Sequence, residues 1–383
     1  MHDLVQLRRW LHRYPELSGN ETETAERISR FLALLKPDNL LQQLGGHGVA
    51  AIFDGESPGP TIVLRCELDA LPIHEGHDNA IRSVHEGTAH LCGHDGHMAI
   101  MCGVATSLAR SRPEKGRIVL LFQPSEETGK GASAVLADSR FSELSPDFVF
   151  ALHNLPGYAL GQIIVRAGTF NCGSRGLEVR LKGVTAHAAQ PETGVSPAAE
   201  MCQLVEKFSQ LRLPDEFGIG FATVVGCKLG ERAFGTAPGD AQIWVTLRCE
   251  TEAGMTRLVD DAETLVANVT ADRGIAFELA YDDVFAVTTN ASVAVRILQR
   301  AADDLPVAEK AVPFRWSEDF GQFTDRFAGA LFGLGAGKDV ADLHQPNYAF
   351  PDELIPIGVR LFERVIRECL AVTPRNEASR LDG

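Results

Sequence analysis

The sequence predicts an α/β chain: a mixed, mainly parallel sheet flanked by helices, with a smaller α+β unit of ferredoxin-like order inserted into it. Three observations predict this. Short runs such as Thr61-Ile62-Val63-Leu64-Arg65 and Arg117-Ile118-Val119-Leu120-Leu121-Phe122 are almost wholly apolar, as strands buried on both faces must be. Each run ends in polar residues and is followed by a helical pattern, the rhythm of a parallel sheet. After Cys172 that rhythm gives way to alternating strands and amphipathic helices, and later it returns. A chain of 383 residues also exceeds what one core ordinarily holds. The expected division is a larger domain in two parts, 1–172 and 285–383, around an inserted domain at 173–284.

Each element follows from its pattern. Leu4 to Leu11 mixes apolar and basic residues at helical spacing and stops at Pro15. Asn20 with Glu23 reads as a capping box ahead of a helix that puts Ile28, Phe31, Leu32 and Leu35 on one face. Val49–Phe53 is a strand closed by Asp54-Gly55, and Thr61–Arg65 a central strand that delivers Glu67 and Asp69 at its end. In open α/β sheets that end is where ligands sit. Met98–Leu108 is small and apolar, a buried helix; the strand ending at Phe122 delivers Glu126 and Glu127; Phe148–Leu152 delivers His153. In the insertion, Leu177–Lys182, Gly220–Lys228, Ala241–Cys249 and Ile275–Tyr281 read as strands, with helices at Ser196–Leu211 and Met255–Ala271. Ser196 is the expected cap of the first helix, with Pro197 at its first position. The order is β-α-β-β-α-β. Beyond it, Ser292–Ala302 is a helix, Ala328–Leu334 a buried strand and Ile355–Leu370 a closing helix, and Pro374–Gly383 reads as a frayed tail.

Composition excludes some function classes. Net charge is −15 and no basic stripe is visible, which argues against nucleic acid and against an anionic membrane surface. Hydrophobic content of 45% and charged content of 23% are those of a soluble globular chain. The 8 cysteines are scattered, with no paired framework, as free thiols in a reducing compartment are. The start lacks a basic-then-apolar leader, and no apolar run reaches membrane-spanning length, so a cytoplasmic protein is expected.

The densest chemistry is Leu91-Cys92-Gly93-His94-Asp95-Gly96-His97. Thiolate and imidazole together suit a borderline-soft divalent ion: zinc, cobalt, nickel or manganese. Gly93 and Gly96 let the backbone fold tightly, so that Cys92 and His94 can face one centre. The plain alternative is a reduced core cysteine beside turn histidines. Glu126 and Glu127 are adjacent at a strand end; as neighbours on a strand they would point to opposite faces and divide labour. His153, His344 and His187, taken singly, read as a satisfied strand-end histidine and two loop histidines. Taken together, Cys92, His94, Glu127, His153 and His344 suffice for two metal ions, leaving Glu126 beside them as a base.

These segments resemble the dinuclear metallopeptidases of the aminoacylase and glutamate-carboxypeptidase kind, and among them the amidohydrolases that cleave hippurate and auxin conjugates. The resemblance rests on Leu11-His12-Arg13-Tyr14-Pro15-Glu16-Leu17, Asp69-Ala70-Leu71-Pro72-Ile73, Cys92 to His97, and Pro124-Ser125-Glu126-Glu127 with Gly131-Ala132. It continues through Leu152-His153-Asn154-Leu155-Pro156, Ala186-His187-Ala188-Ala189-Gln190-Pro191, Ser317-Glu318-Asp319-Phe320 and Leu343-His344-Gln345-Pro346-Asn347-Tyr348. It implies a catalytic domain interrupted by a lid that mediates dimerisation, hence a homodimer. It implies two divalent metals per subunit (manganese, zinc, cobalt or nickel) on Cys92, His94, Glu127, His153 and His344, supported by Asp69 and Asp95. It implies Glu126 as general base and acid, and His187 as the residue that reaches the substrate carbonyl.

The expected substrate is a small N-acyl amino acid, with Arg248 as a candidate for its carboxylate because a guanidinium pairs with one bidentately. A dipeptidase or aminopeptidase of the same superfamily, and a metal- or ligand-binding homologue without catalysis, are the alternatives. The chain departs from the resemblance at Glu67, where aspartate is usual, at Ser125 for alanine, at Trp316 for glycine, and around Gly235 for an asparagine.

Overall fold

The computed structural model describes residues 2–371 other than Asp78 and Asp272. The expected frayed tail at Pro374–Gly383 lies outside the described residues. The chain divides into two compact units, one of Met1–Phe170, Thr288–Val312 and Asp319–Gly383, the other of Asn171–Val287 and Pro313–Glu318. The short segment Pro313–Glu318, read from sequence with the larger domain, thus groups with the smaller unit.

The larger unit holds an eight-stranded mixed sheet. Across it the strands run Asn39–Leu44, Gly48–Asp54, Lys115–Gln123, Ser57–Glu67, Phe148–Pro156, Ala328–Gly337, Ile163–Val165 and Val307–Glu309. The centre is parallel: Ser57–Glu67 pairs with Lys115–Gln123 on one side and Phe148–Pro156 on the other, and Phe148–Pro156 pairs in parallel with Ala328–Gly337. These strands are buried along nearly their whole length, which explains the continuous apolar runs. Helices His2–Arg13, His94–Arg110 and Leu354–Ala371 share one core with the sheet, built on residues such as Leu11, Ile100, Phe122, Phe150 and Phe362.

The register places the site. Arg65 pairs with Ala151 and Glu67 with Gln123, so Asp69 and the Glu126-Glu127 pair follow at neighbouring strand ends, level with His153 two residues past Ala151. His153 is not beyond its strand as expected but inside it, since that strand continues to Pro156.

The smaller unit is a four-stranded antiparallel sheet in the order Gly220–Leu229, Asp240–Cys249, Gly173–Lys182, Ala276–Phe285. Helices Ala198–Gln210 and Glu252–Thr270 pack with it around Leu177, Val179, Phe208, Ile243, Leu258 and Val266. The order β-α-β-β-α-β is present as read from the sequence.

Local capping differs from expectation. Helix Thr22–Leu34 begins without a side-chain cap of its own; the Glu16 carboxylate, from the preceding segment, accepts from Glu23 N at 3.2 Å and Thr24 N at 2.8 Å. A distant acid thus replaces the expected Asn20–Glu23 box and also complements the positive helix end. Helix Ala198–Gln210 has Pro197 at its N-cap with no side-chain cap bond, so Ser196 does not serve as expected. The strand Asn39–Leu44 was not expected from the sequence; three of its six residues, Asn39, Gln42 and Gln43, are polar and exposed, as an edge strand allows.

Candidate metal centre

Cys92 and His94 straddle Gly93, whose φ of 95° marks it as the left-handed residue that starts helix His94–Arg110. His94 and His97 therefore stand in the first turn of a fully buried helix end, not in an open loop. Gly96 serves a different purpose from the one expected: a Cβ there would lie 2.4 Å from the Phe350 ring, so it permits close packing and not a turn.

Glu126 and Glu127 also depart from expectation. They lie in a single 3₁₀ turn, Glu126–Thr128, just past the strand end, entered through Ser125 at φ 55°. Strand alternation no longer applies, and both carboxylates face the same group: each has an oxygen 3.8 Å from His94 Nε2. His344, exposed and itself at φ 65°, is tied to the same place by its amide, which donates to Leu91 O at 2.9 Å. Two non-glycine residues in the left-handed region at one site are a local cost that the surrounding contacts must hold in place.

All five expected ligands converge. The donor atoms of Cys92, His94 and His153 lie within 4.8 Å of one another, as do those of Cys92, Glu127 and His344, and those of His94, Glu126 and Glu127. Cys92, His94 and Glu127 each belong to two of these groups, so the donors form one continuous patch. Distance alone counts Glu126 among them. Cys92 Sγ stands 3.4 Å from His153 Nε2.

The histidines are oriented from behind. His94 Nδ1 meets the Asp69 carbonyl oxygen at 2.8 Å and His153 Nδ1 meets the Asn154 carbonyl oxygen at 3.0 Å. A carbonyl only accepts, so each ring carries a proton at Nδ1 and presents Nε2 to the centre as the atom that a cation would take in place of a second proton. Asp69 supports two members at once, because its carboxylate also accepts from Glu127 N at 3.0 Å and Ser18 Oγ at 2.7 Å. Asp95 works further back: it accepts from His12 Nδ1 at 2.9 Å and from Arg8 Nη1 at 3.3 Å.

The donor set fits divalent cations. His94 Nε2 and Asp69 Oδ1 are buried with no hydrogen-bond partner among the described residues, which is rare for buried polar atoms and is resolved by a cation. Burial alone would lower the His94 pKa, yet the carboxylates of Glu67, Glu127 and Asp69 hold it up at about 9. The local field therefore favours positive charge. Thiolate, imidazole and carboxylate together are the ligands of zinc-like ions.

A second buried layer escaped the sequence reading. Arg65 is fully buried and contacts Glu67, Gln123 (2.9 Å) and Asp319 (2.5 Å); Glu67 in turn binds His97 Nδ1 at 2.6 Å. The departure from aspartate to Glu67 thus lies behind the donors. The available signal was Arg65 itself, a charge in an apolar strand that requires buried carboxylates for company. Asn154 joins His97 to the Tyr348 hydroxyl.

His187 and Arg248 belong to the smaller unit. His187 is exposed and pairs with Thr236 in a two-residue bridge; its Nδ1 accepts from Ala189 N at 3.0 Å, which leaves the neutral ring's proton on Nε2. The departure at Gly235 is adjacent, since Gly235 O accepts from Ala188 N at 3.0 Å. Arg248 is half-buried and donates to Ser317 Oγ at 2.7 Å and Arg315 O at 3.0 Å, next to Trp316. Burial lowers its pKa from the ordinary arginine value, with no carboxylate among the described residues to oppose that.

Thiolate, imidazole and carboxylate donors gathered beside the parallel centre of a mixed sheet define an α/β protein with a candidate metal centre. The chain belongs to peptidase family M20/M25/M40, whose family model matches residues 63–368. It is 30% identical over 369 residues, 94% of this chain and 98% of the relative, to the N-acetyldiaminopimelate deacetylase of Priestia megaterium. It is 40% identical over 207 residues to the N-acetyl-L-cysteine deacetylase of Bacillus subtilis, covering 53% of this chain and 48% of that one. Among solved structures, the Bacillus subtilis YXEP protein, described as a dinuclear metal binding peptidase of the M20 family, superposes with a TM-score of 0.81. It is 25% identical, with 97% of this chain and 99% of that chain covered. No helix among the described residues is long and apolar enough to cross a membrane.

Proposed function

We propose that the chain is a two-metal amidohydrolase that removes the acyl group from small N-acyl amino acids. The observation that carries this reading is the convergence of Cys92, His94, Glu126, Glu127, His153 and His344 on one continuous patch of donor atoms. The two divalent ions, when bound, polarise the amide carbonyl and lower the pKa of water. Cys92, His94, Glu127, His153 and His344 hold them. Glu126, 5% exposed and beside the donors, takes a proton from the attacking water and returns it to the leaving amine. His187, with its Nε2 proton outward, donates to the oxygen that gains charge. Arg248, its guanidinium bonded among the described residues to the neutral oxygens of Ser317 and Arg315, receives the substrate carboxylate.

The substrate class is favoured by the relatives named above, which act on N-acetyl amino acids. Trp316 beside the Ser317 that holds Arg248 is where specificity for the amino-acid part is expected to differ from hippurate and auxin-conjugate hydrolases. A homodimer through the smaller unit remains part of the reading: Gly220–Leu229 and Ala276–Phe285 are the edges of its sheet, and a second copy can extend either.

The test is a screen on protein loaded separately with manganese, zinc, cobalt and nickel. N-acetyldiaminopimelate, N-acetylcysteine, hippurate and indole-3-acetyl amino acids are offered beside free dipeptides. The reading expects turnover of N-acyl amino acids and little of free dipeptides. A preference for free dipeptides would replace it with the peptidase alternative, and binding without turnover with the non-catalytic one.

A further inference from the structure

His344 is held without the help of burial. Its side chain is exposed and its backbone is left-handed at φ 65°, a conformation that a histidine keeps only where its surroundings determine it. One restraint is the bond from its amide to Leu91 O, 2.9 Å. Further along, Tyr348 fixes the far end of the loop through Asn154. Between them, Pro346 O is gripped twice from the segment that follows Leu71: by Gly76 N at 2.7 Å and by Asn79 Nδ2 at 3.2 Å.

That segment is itself organised by one acid. Glu75 is 3% exposed at its side chain, and its Oε1 lies 2.9 Å from His12 Nε2 and 2.8 Å from Asn79 Nδ2. Its Oε2 accepts from Ser83 N at 2.7 Å. Through His12 the acid is tied to Asp95, the neighbour of His94. Asn79 thus donates one proton to Glu75 and the other to Pro346. Glu75 fixes both groups that grip the His344 loop, and fixes them to the same helix start that carries His94.

We infer that Glu75 is a positioning residue for His344: through Gly76 and Asn79 it holds Pro346, and so sets the imidazole against Cys92 and Glu127. The inference rests on the reading of His344 as a metal ligand. Gly76 offers an independent handle on the same joint, because a Cβ there would stand 3.0 Å from Pro346 O and 3.4 Å from its carbon, so that the Gly76–Pro346 contact must give by a few tenths of an ångström. Outer partners of metal ligands commonly set affinity by about 10- to 100-fold.

The test uses the full chain stripped of metal and titrated with manganese chloride. Bound ions are counted by elemental analysis after dialysis, and the unfolding temperature is recorded alongside. His344→Ala is expected to bind one ion where the unaltered protein binds two. Glu75→Ala and Gly76→Ala are expected to weaken that same ion at least about tenfold. Glu75→Ala combined with His344→Ala is expected to be no worse than His344→Ala alone, as two steps on one path must be. If both Glu75→Ala and Gly76→Ala keep the second ion at unaltered affinity, and change only the unfolding temperature, the inference is overturned while His344 stays a ligand. If His344→Ala itself keeps two ions, the reading beneath it fails first. Should Glu75→Ala not fold, Gly76→Ala decides alone.

Discussion

Cys92 Sγ lies 3.4 Å from His153 Nε2, although 61 residues separate them in the chain and they come from a helix start and a mid-strand position. The contact of His153 Nδ1 with Asn154 O at 3.0 Å turns Nε2 toward the thiol, so that a cation can complete the pair. Replacing the soft thiolate with a hydroxyl removes the better ligand and keeps the volume. Cys92→Ser is expected to lower bound metal by one ion or more under conditions that saturate the unaltered protein, measured by elemental analysis. Unchanged metal content would remove Cys92 from the ligand set.

Glu126 is expected to separate chemistry from metal binding. Glu126→Gln preserves size and hydrogen-bonding reach while abolishing proton transfer. The expected result is a fall in kcat of about 100- to 10,000-fold with two ions still bound. Loss of an ion together with activity would show that its proximity to His94 marks it as a ligand instead.

His187 is expected to act on rate and not on metal. Its Nδ1 is committed to Ala189 N, so only Nε2 can serve a substrate oxygen. His187→Ala should lower kcat about 100- to 1,000-fold, with metal content and unfolding temperature kept. Full activity in that variant would dismiss it from the reaction.

The His12 bridge gives the fold a pH dependence of defined sign. Burial alone would lower the His12 pKa, but its hydrogen bonds to Asp95 and Glu75 prevail and raise it from 6.5 to about 9. A group whose pKa is higher folded than unfolded stabilises fully below the unfolded value and loses that contribution as pH rises through the folded one. Stability should therefore decline between about pH 6.5 and 9, by on the order of 3 kcal/mol from this group. Denaturant midpoints across that window should slope for the unaltered protein and flatten for His12→Asn; parallel curves would count against a charged His12.

The sequence was informative where one local pattern decides the outcome. The buried strands announced themselves because Ile62 to Leu64 and Ile118 to Phe122 are apolar without interruption. The candidate donors Cys92, His94, Glu127, His153 and His344 were legible only as a set, through the motifs of the family resemblance, since His153 and His344 taken singly read as ordinary histidines. What stayed hidden depends on partners far away in the chain. Glu16 caps a helix it does not belong to. Glu126 and Glu127 share one face because a 3₁₀ turn, set by the unusual backbone of Ser125, replaces strand geometry. Arg65 meets Asp319, 254 positions on, and no local rule links them. The Glu75 joint is invisible for the same reason, since its object, Pro346, is reached only through the fold.

The most direct measurement is anomalous diffraction from crystals grown with manganese. The account predicts two strong peaks beside each other, one against His94 and both in reach of Cys92 and Glu127, with His153 and His344 at the flanks. A single peak, or peaks bound by other side chains while these five face elsewhere, would contradict it.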